Sequence, residues 1–157
     1  MARAVALRQL AMAPRSRAQL AEKMAAKDVP GPVSDAVLDR LEEVGLVDDA
    51  AFAGALVRTR QRSRGLARRA LAQELRTKGV DDDTAAEALA QVTDASEQAA
   101  AREVLRRPLA ATRGMDPARR QRRLTGALAR RGYSAGLAFR LVREALDLEV
   151  TGEPLDD

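Results

Sequence analysis

The sequence contains no cysteine, histidine, tryptophan, isoleucine or asparagine, and aromatic residues make up 2% of its 157 residues. Without cysteine and histidine the chain has no thiolate nucleophile, no Ser–His pair and no histidine-based metal site. The absence of cysteine also excludes disulfide bonds and is typical of proteins from a reducing compartment. These absences argue against an enzyme and predict a protein that uses no metal or cofactor.

Long apolar runs are also absent, since no stretch approaches the roughly 20 apolar residues of a membrane-spanning helix. The amino-terminal stretch 2–12 contains Arg3 and Arg8. It is therefore too polar for the apolar segment of a signal peptide. From these two features we expect a cytoplasmic protein that is not anchored in a membrane.

The residues that are present favour helices. Hydrophobic residues make up 46% of the chain, and most of them are alanine and leucine, the strongest helix formers. The β-branched and aromatic residues that a sheet prefers are scarce. The sequence therefore predicts an all-α protein, with helices near 2–12, 16–27, 34–44, 49–62, 66–78, 82–91, 95–107, 117–131 and 135–147.

Three segments spaced about 50 residues apart share one pattern. Each has two apolar residues four positions apart, then a basic residue, and then a turn at Asp28, Gly79 or Gly132. Glycine just after a helix supplies the left-handed conformation that ends it, and the next apolar residue folds back onto the helix. We therefore interpret Asp28, Gly79 and Gly132 as structural helix-end residues.

The repeated pattern also indicates how the chain is organised. Grouping the nine helices in threes gives three-helix repeats over 1–46, 47–92 and 93–148. Modules of this size are marginal alone, so neighbouring repeats should support one another. Residues 149–157 are acidic without any basic residue, and we predict a disordered tail there.

Basic residues cluster in two segments, 58–78 with a net charge of +7 and 102–131 with a net charge of +8. On an ideal helix Arg119, Arg123 and Arg130 fall in one stripe, with Leu128 roughly opposite. Such clusters favour an anionic partner, either an acidic protein groove or DNA phosphates. Our candidate partner-binding residues are Arg58, Arg60, Arg62, Arg64, Arg69, Arg76, Arg119, Arg123 and Arg130.

Two other groups of residues have simpler interpretations. Asp48, Asp49 and residues 81–83 precede predicted helices, so we interpret these aspartates as helix caps rather than metal ligands. The three aromatic residues, Phe52, Tyr133 and Phe139, all fall at positions predicted to be core. A platform for stacking bases is therefore not expected, and any direct DNA contact should be weak and unspecific.

Several motifs together resemble the RecX family. The run from Gly45 to Ala53, with sequence GLVDDAAFA, is similar to the first signature of that family. Arg64-Gly65 followed by the segment 71–80 resembles the second signature, and the segment 128–134 resembles the third. The segment 15–20 is similar to the start of the family's first repeat. The order and spacing of these motifs agree from about residue 6 to residue 146.

The resemblance implies three tandem three-helix repeats that form an elongated, curved, solenoid-like molecule. It also implies a non-enzymatic regulator that binds a RecA-like recombinase filament. The expected effect is inhibition of strand exchange, ATP hydrolysis and co-protease activity. We expect a monomer and leave open a weak contact with DNA.

A helix-turn-helix DNA-binding protein is the alternative that the residues leave open, because short turns such as 79–81 separate helices. The helices that follow such turns, 82–91 and 135–147, are predicted to be acidic or mostly apolar on their exposed faces. That prediction weighs against the alternative, which a comparison of filament and duplex binding would test.

Overall fold

The computed structural model describes residues 1–152, and the regular structure in that range is helical, without strands. The all-α prediction is therefore confirmed. The helices are α1 (Ala2–Met12), α2 (Arg17–Ala26), α3 (Gly31–Glu43), α4 (Asp49–Arg64), α5 (Arg68–Thr77), α6 (Asp82–Leu89), α7 (Asp94–Ala111), α8 (Pro117–Ala129) and α9 (Ala135–Thr151).

The described chain forms two compact units, and residues of the second predicted repeat contribute to both. The first unit contains Met1–Val57 and Ala72–Gln91; the second contains Arg58–Leu71 and the segment that begins at Val92. Helices α4 and α5 therefore each have residues in both units.

In the first unit, α1, α2 and α3 pack against one another around a small apolar core. Ser16 is fully buried beside this core and caps α2 by accepting a hydrogen bond from the Gln19 amide at 3.2 Å. The Ser16 hydroxyl also donates to the Lys78 carbonyl at 2.5 Å, at the end of α5. One serine thus starts one helix and satisfies the end of another. The core residues are Ala6, Leu20, Met24, Leu38, Leu41 and Val47.

In the second unit, α7, α8 and α9 pack against one another. Their shared core consists mainly of leucine and alanine, and it includes the phenol ring of Tyr133. Helices with small side chains can pack closely, and in this way a chain with few large residues still forms a core. The fully or nearly buried members of this core are Ala67, Ala101, Leu105, Leu109, Leu124, Leu128, Tyr133, Ala138, Leu141 and Val142.

Helices α3 and α7 each include a proline that lies outside the predicted bounds. Helix α3 begins at Gly31 rather than near residue 34, with Pro32 in its first turn, where a missing N–H costs nothing. Helix α7 does not stop before Pro108 but continues to Ala111. Beyond it, the Thr112 hydroxyl and amide both donate to the Pro108 carbonyl, at 2.6 and 3.0 Å.

The start of the predicted disordered tail was wrong, because α9 continues through Thr151. Glu149 is held by the guanidinium of Arg120, with contacts of 2.6 and 3.0 Å, and by Arg113 at 3.3 Å. These two arginines extend the helix beyond what its own sequence predicts. The rest of the predicted tail, residues 153–157, lies outside the described residues.

One aromatic residue was also misplaced. Tyr133 is 4% exposed, but Phe139 is 50% exposed on α9. The Arg143 guanidinium lies 6.0 Å from the centre of the Phe139 ring. Helix α9 buries Ala138, Leu141 and Val142 instead, so Phe139 falls just outside the buried stripe.

Candidate partner-binding site

The second unit contains a groove of about 910 Å³ that arginines from both basic segments line. One wall is the carboxyl end of α4 and the following Gly65; the other is the outer side of α7 from Ala100 to Ala110. Five arginines line this arginine groove, against a single carboxylate, that of Glu103. The arginines are Arg62, Arg64, Arg106, Arg107 and Arg131.

The α4 wall is formed by a helix end that suits positive charge. Arg62 and Arg64 lie in the last turn of α4, where the negative end of the helix dipole favours cations. Both residues are exposed. Within the described part of the chain, no other residue pairs with either guanidinium. They are therefore available to an anionic partner.

Gly65 brings the two walls together. Its φ is +60°, a left-handed conformation that side-chain-bearing residues adopt at a cost of about 1 kcal/mol or more. A Cβ atom at this position would lie 2.4 Å from Cγ2 of Val104 and 3.4 Å from the Ala100 carbonyl oxygen. Only glycine therefore allows the backbone after α4 to approach α7 this closely.

The α7 wall alternates charge with apolar surface. Arg106 and Arg107 are exposed, whereas Val104 and Pro108 are half-buried. Arg106 forms a surface ion pair with Glu103 at 3.2 Å, one turn earlier in the helix. An exposed ion pair of this kind contributes little stability. An anionic partner could therefore displace the Glu103 carboxylate from Arg106.

Three hydrogen bonds connect the residues just after α8 to the end of α4 and the loop that follows α4. The Arg131 guanidinium donates to the Arg64 carbonyl at 3.1 Å, and the Ala67 amide donates to the Arg131 carbonyl at 3.0 Å. The buried Tyr133 hydroxyl donates to the Gly65 carbonyl at 2.7 Å. Burial raises the pKa of this phenol, so it remains a neutral donor.

The predicted stripe on α8 forms a second basic surface, outside the groove lining. Arg119, Arg123 and Arg130 are exposed, and Leu128 is buried.

The neighbouring Arg120 has a different role, since its side chain is only 12% exposed. It donates to Glu149, to the Leu109 carbonyl and to the Thr112 hydroxyl. The hydrogen bond to Glu149 raises the pKa of Arg120, against the opposing effect of burial.

The remaining predicted arginines have diverse surroundings. Arg58 and Arg69 are exposed, and Arg60 is partly buried and has a partner. Arg76 belongs to the first unit, where it donates to the Gln73 side chain at 3.1 Å.

The groove brings the predicted Arg62 and Arg64 together with three arginines that were not predicted as contact residues. Arg106, Arg107 and Arg131 lie within the second basic segment, and that segment's charge was the only signal for them.

The predicted helix-end residues all have positive φ: 59° for Asp28, 78° for Gly79 and 93° for Gly132. After each, the next amide donates back to the carbonyl of a buried residue five positions earlier, as in Val80 to Leu75 at 3.0 Å. Tyr133 does the same to Leu128 at 3.3 Å. The third helix end therefore positions the phenol that holds the groove.

The aspartates at helix starts bind backbone amides. Asp48 accepts from the Ala51 amide at 3.0 Å, and Asp81 accepts from the Thr84 amide at 2.8 Å. The bond from Thr84 lowers the pKa of Asp81. Asp49 accepts instead from the Arg17 amide at 2.8 Å. Within residues 1–152, no three acidic side chains come together as a metal site.

No helix in the described range is long and apolar enough to cross a membrane.

Three family models match the chain, described as the first, second and third three-helix domains of RecX. They cover residues 2–41, 48–89 and 95–142 respectively.

Curated relatives are similar over most of the chain. A regulatory protein RecX from Thermobifida fusca is 58% identical over 94% of this chain and 80% of its own length. The RecX protein of Streptomyces coelicolor is 51% identical over 94% of this chain and 79% of its own length. That of Mycobacterium avium is 46% identical over 94% and 86%.

A solved structure has the same fold. The crystal structure of RecX from Lactobacillus salivarius superimposes with a TM-score of 0.81 at 22% identity, covering 94% of this chain and 95% of that one. A second crystal structure of regulatory protein RecX gives a TM-score of 0.80 at 23% identity, over 91% and 71%. With three matched domains in order and relatives above half identity, the chain belongs to the RecX family.

Proposed function

We propose that this protein binds RecA-like recombinase filaments and inhibits their strand exchange, ATP hydrolysis and co-protease activity. The name shared by its relatives, regulatory protein RecX, supports a regulatory role. The observation that carries the proposal is the arginine groove, where two basic segments distant in sequence meet in one concave surface. We propose this groove as the principal contact with the filament.

Physical chemistry favours arginine for such a contact. Each guanidinium carries a permanent charge and offers a planar fork of donors that matches a carboxylate. Complementary charge speeds encounter and fixes orientation, and it penalises wrong partners. Arg62, Arg64 and Arg107 are exposed and have no partner among residues 1–152. Binding would therefore not require breaking an existing ion pair at these three positions.

We propose that the α8 stripe adds a second contact to the same filament. A filament repeats its subunits, so two separate basic surfaces on one protein can engage it together, which raises the overall affinity. Arg119, Arg123 and Arg130 would then contribute to inhibition without lining the groove. No catalytic step is part of this proposal.

A helix-turn-helix DNA-binding protein is the second candidate. On α6 the exposed residues Asp82, Asp83 and Glu87 would repel phosphates. On α9, however, Arg140 and Arg143 are exposed, contrary to the prediction of an acidic or apolar face. This surface is the observation that favours the second candidate.

A titration at physiological salt separates the two functions. Parent protein, R62Q/R64Q/R107Q and R140Q/R143Q would be titrated against recombinase filaments and against naked duplex DNA. The ATPase of the recombinase would be measured in parallel. The proposal requires filament binding that R62Q/R64Q/R107Q weakens by about tenfold, or roughly 1.4 kcal/mol. Tighter binding to naked duplex, lost in R140Q/R143Q, would support the DNA-binding protein instead.

A further inference from the structure

We propose that the arginine groove binds an extended acidic peptide segment, with carboxylates that contact both rims and an apolar side chain that contacts the floor. This inference rests on the proposed function and specifies the chemistry of the partner at that site. It concerns the ligand class, so it can fail while the regulatory function stands.

The rims define the charged part of the ligand. Arg62 and Arg64 lie on one side, and Arg106 and Arg107 on the other. In an extended peptide, successive side chains point to opposite sides. When an apolar side chain points to the floor, its two acidic neighbours therefore point away from the floor, and their long side chains can reach the arginines of both rims. Each carboxylate can accept two parallel hydrogen bonds from a guanidinium.

The floor defines the apolar part. Ala100, Val104 and Pro108 lie four residues apart along one face of α7, line the groove and are half-buried. Because Gly65 packs against Val104, this floor is formed by both walls. Burying an aliphatic side chain here would release water from both surfaces, with a gain of roughly 25 cal/mol per Å² of apolar area. A purely charged ligand would leave this surface unused.

The length of the floor fits a short segment. From Ala100 to Ala110, helix α7 rises about 15 Å at 1.5 Å per residue. An extended peptide spans the same distance with about five residues at roughly 3.3 Å each. An acidic stretch of this length is sufficient to contact both rims.

Two features favour a peptide over a nucleic acid. Single strands bind through bases stacked on exposed rings, and no aromatic residue is among those that line the described groove. Tyr133 lies beneath it, but the ring is buried and its hydroxyl is bonded to Gly65. The Glu103 carboxylate on the α7 wall would also repel a continuous phosphate backbone, whereas separated carboxylates can avoid it.

The test uses fluorescence anisotropy with three labelled probes. These are a heptapeptide of glutamates around a central leucine, its glutamine counterpart, and a short oligothymidylate. Parent protein is compared with R62Q/R107Q and with R3Q/R8Q, which removes two exposed arginines from α1 in the first unit. Both double variants lower the net charge equally, so a difference between them reports the site rather than overall charge.

We expect the acidic peptide to bind the parent and R3Q/R8Q alike, and to bind R62Q/R107Q at least about tenfold more weakly. The glutamine peptide should bind none of them measurably. A photoreactive leucine at the central position should crosslink to the α7 segment Ala100–Ala110. Equal affinity of R62Q/R107Q and parent for the acidic peptide would overturn the proposal. So would preferential binding of oligothymidylate that R62Q/R107Q loses.

Filament binding separates this inference from the proposed function. If R62Q/R107Q loses filament binding but the acidic peptide fails to bind the parent, the ligand class is wrong and the regulatory function stands. If the peptide binds in the groove but the parent leaves the recombinase ATPase unchanged, the ligand class stands and the proposed function is wrong.

Discussion

The Tyr133 hydroxyl donates a hydrogen bond of 2.7 Å to the Gly65 carbonyl, 68 residues away in sequence. It connects the residue after the third helix end to the loop that carries one wall of the arginine groove. The bond is buried, so water cannot readily replace it. The shape of the arginine groove thus depends on an uncharged, buried hydroxyl group.

Removing this hydroxyl should destabilise the protein while preserving the ring. Tyr133→Phe leaves the Gly65 carbonyl without its donor, and an unsatisfied buried group costs about 1–3 kcal/mol. We expect a loss of that size in the free energy of unfolding, measured by urea denaturation. A denaturation midpoint equal to that of the parent would show that the bond contributes nothing.

Glycine at position 132 is predicted to be required for space as well as for conformation. A Cβ at Gly132 would lie 2.7 Å from the Ala70 Cβ and 2.9 Å from its backbone nitrogen. Gly114 has a similar φ of +83° with nothing within 4 Å. Gly114→Ala should therefore cost only the conformational strain, about 1 kcal/mol. Gly132→Ala should cost clearly more in thermal melts, and equal losses would argue against the steric contact.

The Glu149–Arg120 pair should make stability depend on acid pH. Hydrogen bonds, first from Arg120 and then from Arg113, lower the pKa of Glu149 below its ordinary value of 4.5. A group with a lowered pKa stabilises the fold above its unfolded pKa, and this contribution is lost as pH falls through the folded pKa. Glu149→Gln should thus destabilise the protein at pH 7 but have a smaller effect below about pH 4. A pH-independent difference between variant and parent in denaturation experiments would contradict this assignment.

The α8 stripe should contribute to binding and not to folding. Replacing Arg119, Arg123 and Arg130 with glutamine should leave the melting temperature nearly unchanged, since exposed residues of this kind contribute within about 0.5 kcal/mol each. Inhibition of the recombinase ATPase should fall by about tenfold, or roughly 1.4 kcal/mol. The effect should be larger at low salt, where these charges are less screened. Equal inhibition across a salt series would reject the stripe as a binding surface.

Local features were predictable from sequence, whereas features that depend on tertiary contacts were not. Helix starts follow from short-range capping rules: α6 begins at the predicted Asp82, and Asp81 caps it by accepting from the Thr84 amide. The extension of α7 past Pro108 was missed because the Arg120 side chain, from another helix, satisfies the Leu109 carbonyl. No feature of the local sequence predicts such a bond.

The same limit applies to the site. Sequence identified two basic segments by their charge, but it separated them by more than 20 residues. Their meeting depends on the close contact of Gly65 with Val104, which no periodicity reveals. Arg106 and Arg107 belong to the second basic segment but were not among the predicted contact residues.

The hydrogen bonds around the loop after α4 have a consequence for local opening. The Ala67 amide donates to the Arg131 carbonyl, and the Arg68 amide donates to the Glu97 carboxylate at 2.8 Å. Amide protons exchange with deuterium only when such bonds open. Although residues 65–67 are not helical, the protons of Ala67 and Arg68 should exchange as slowly as those of the adjoining helices. In this protein a connecting loop would open together with the core rather than before it.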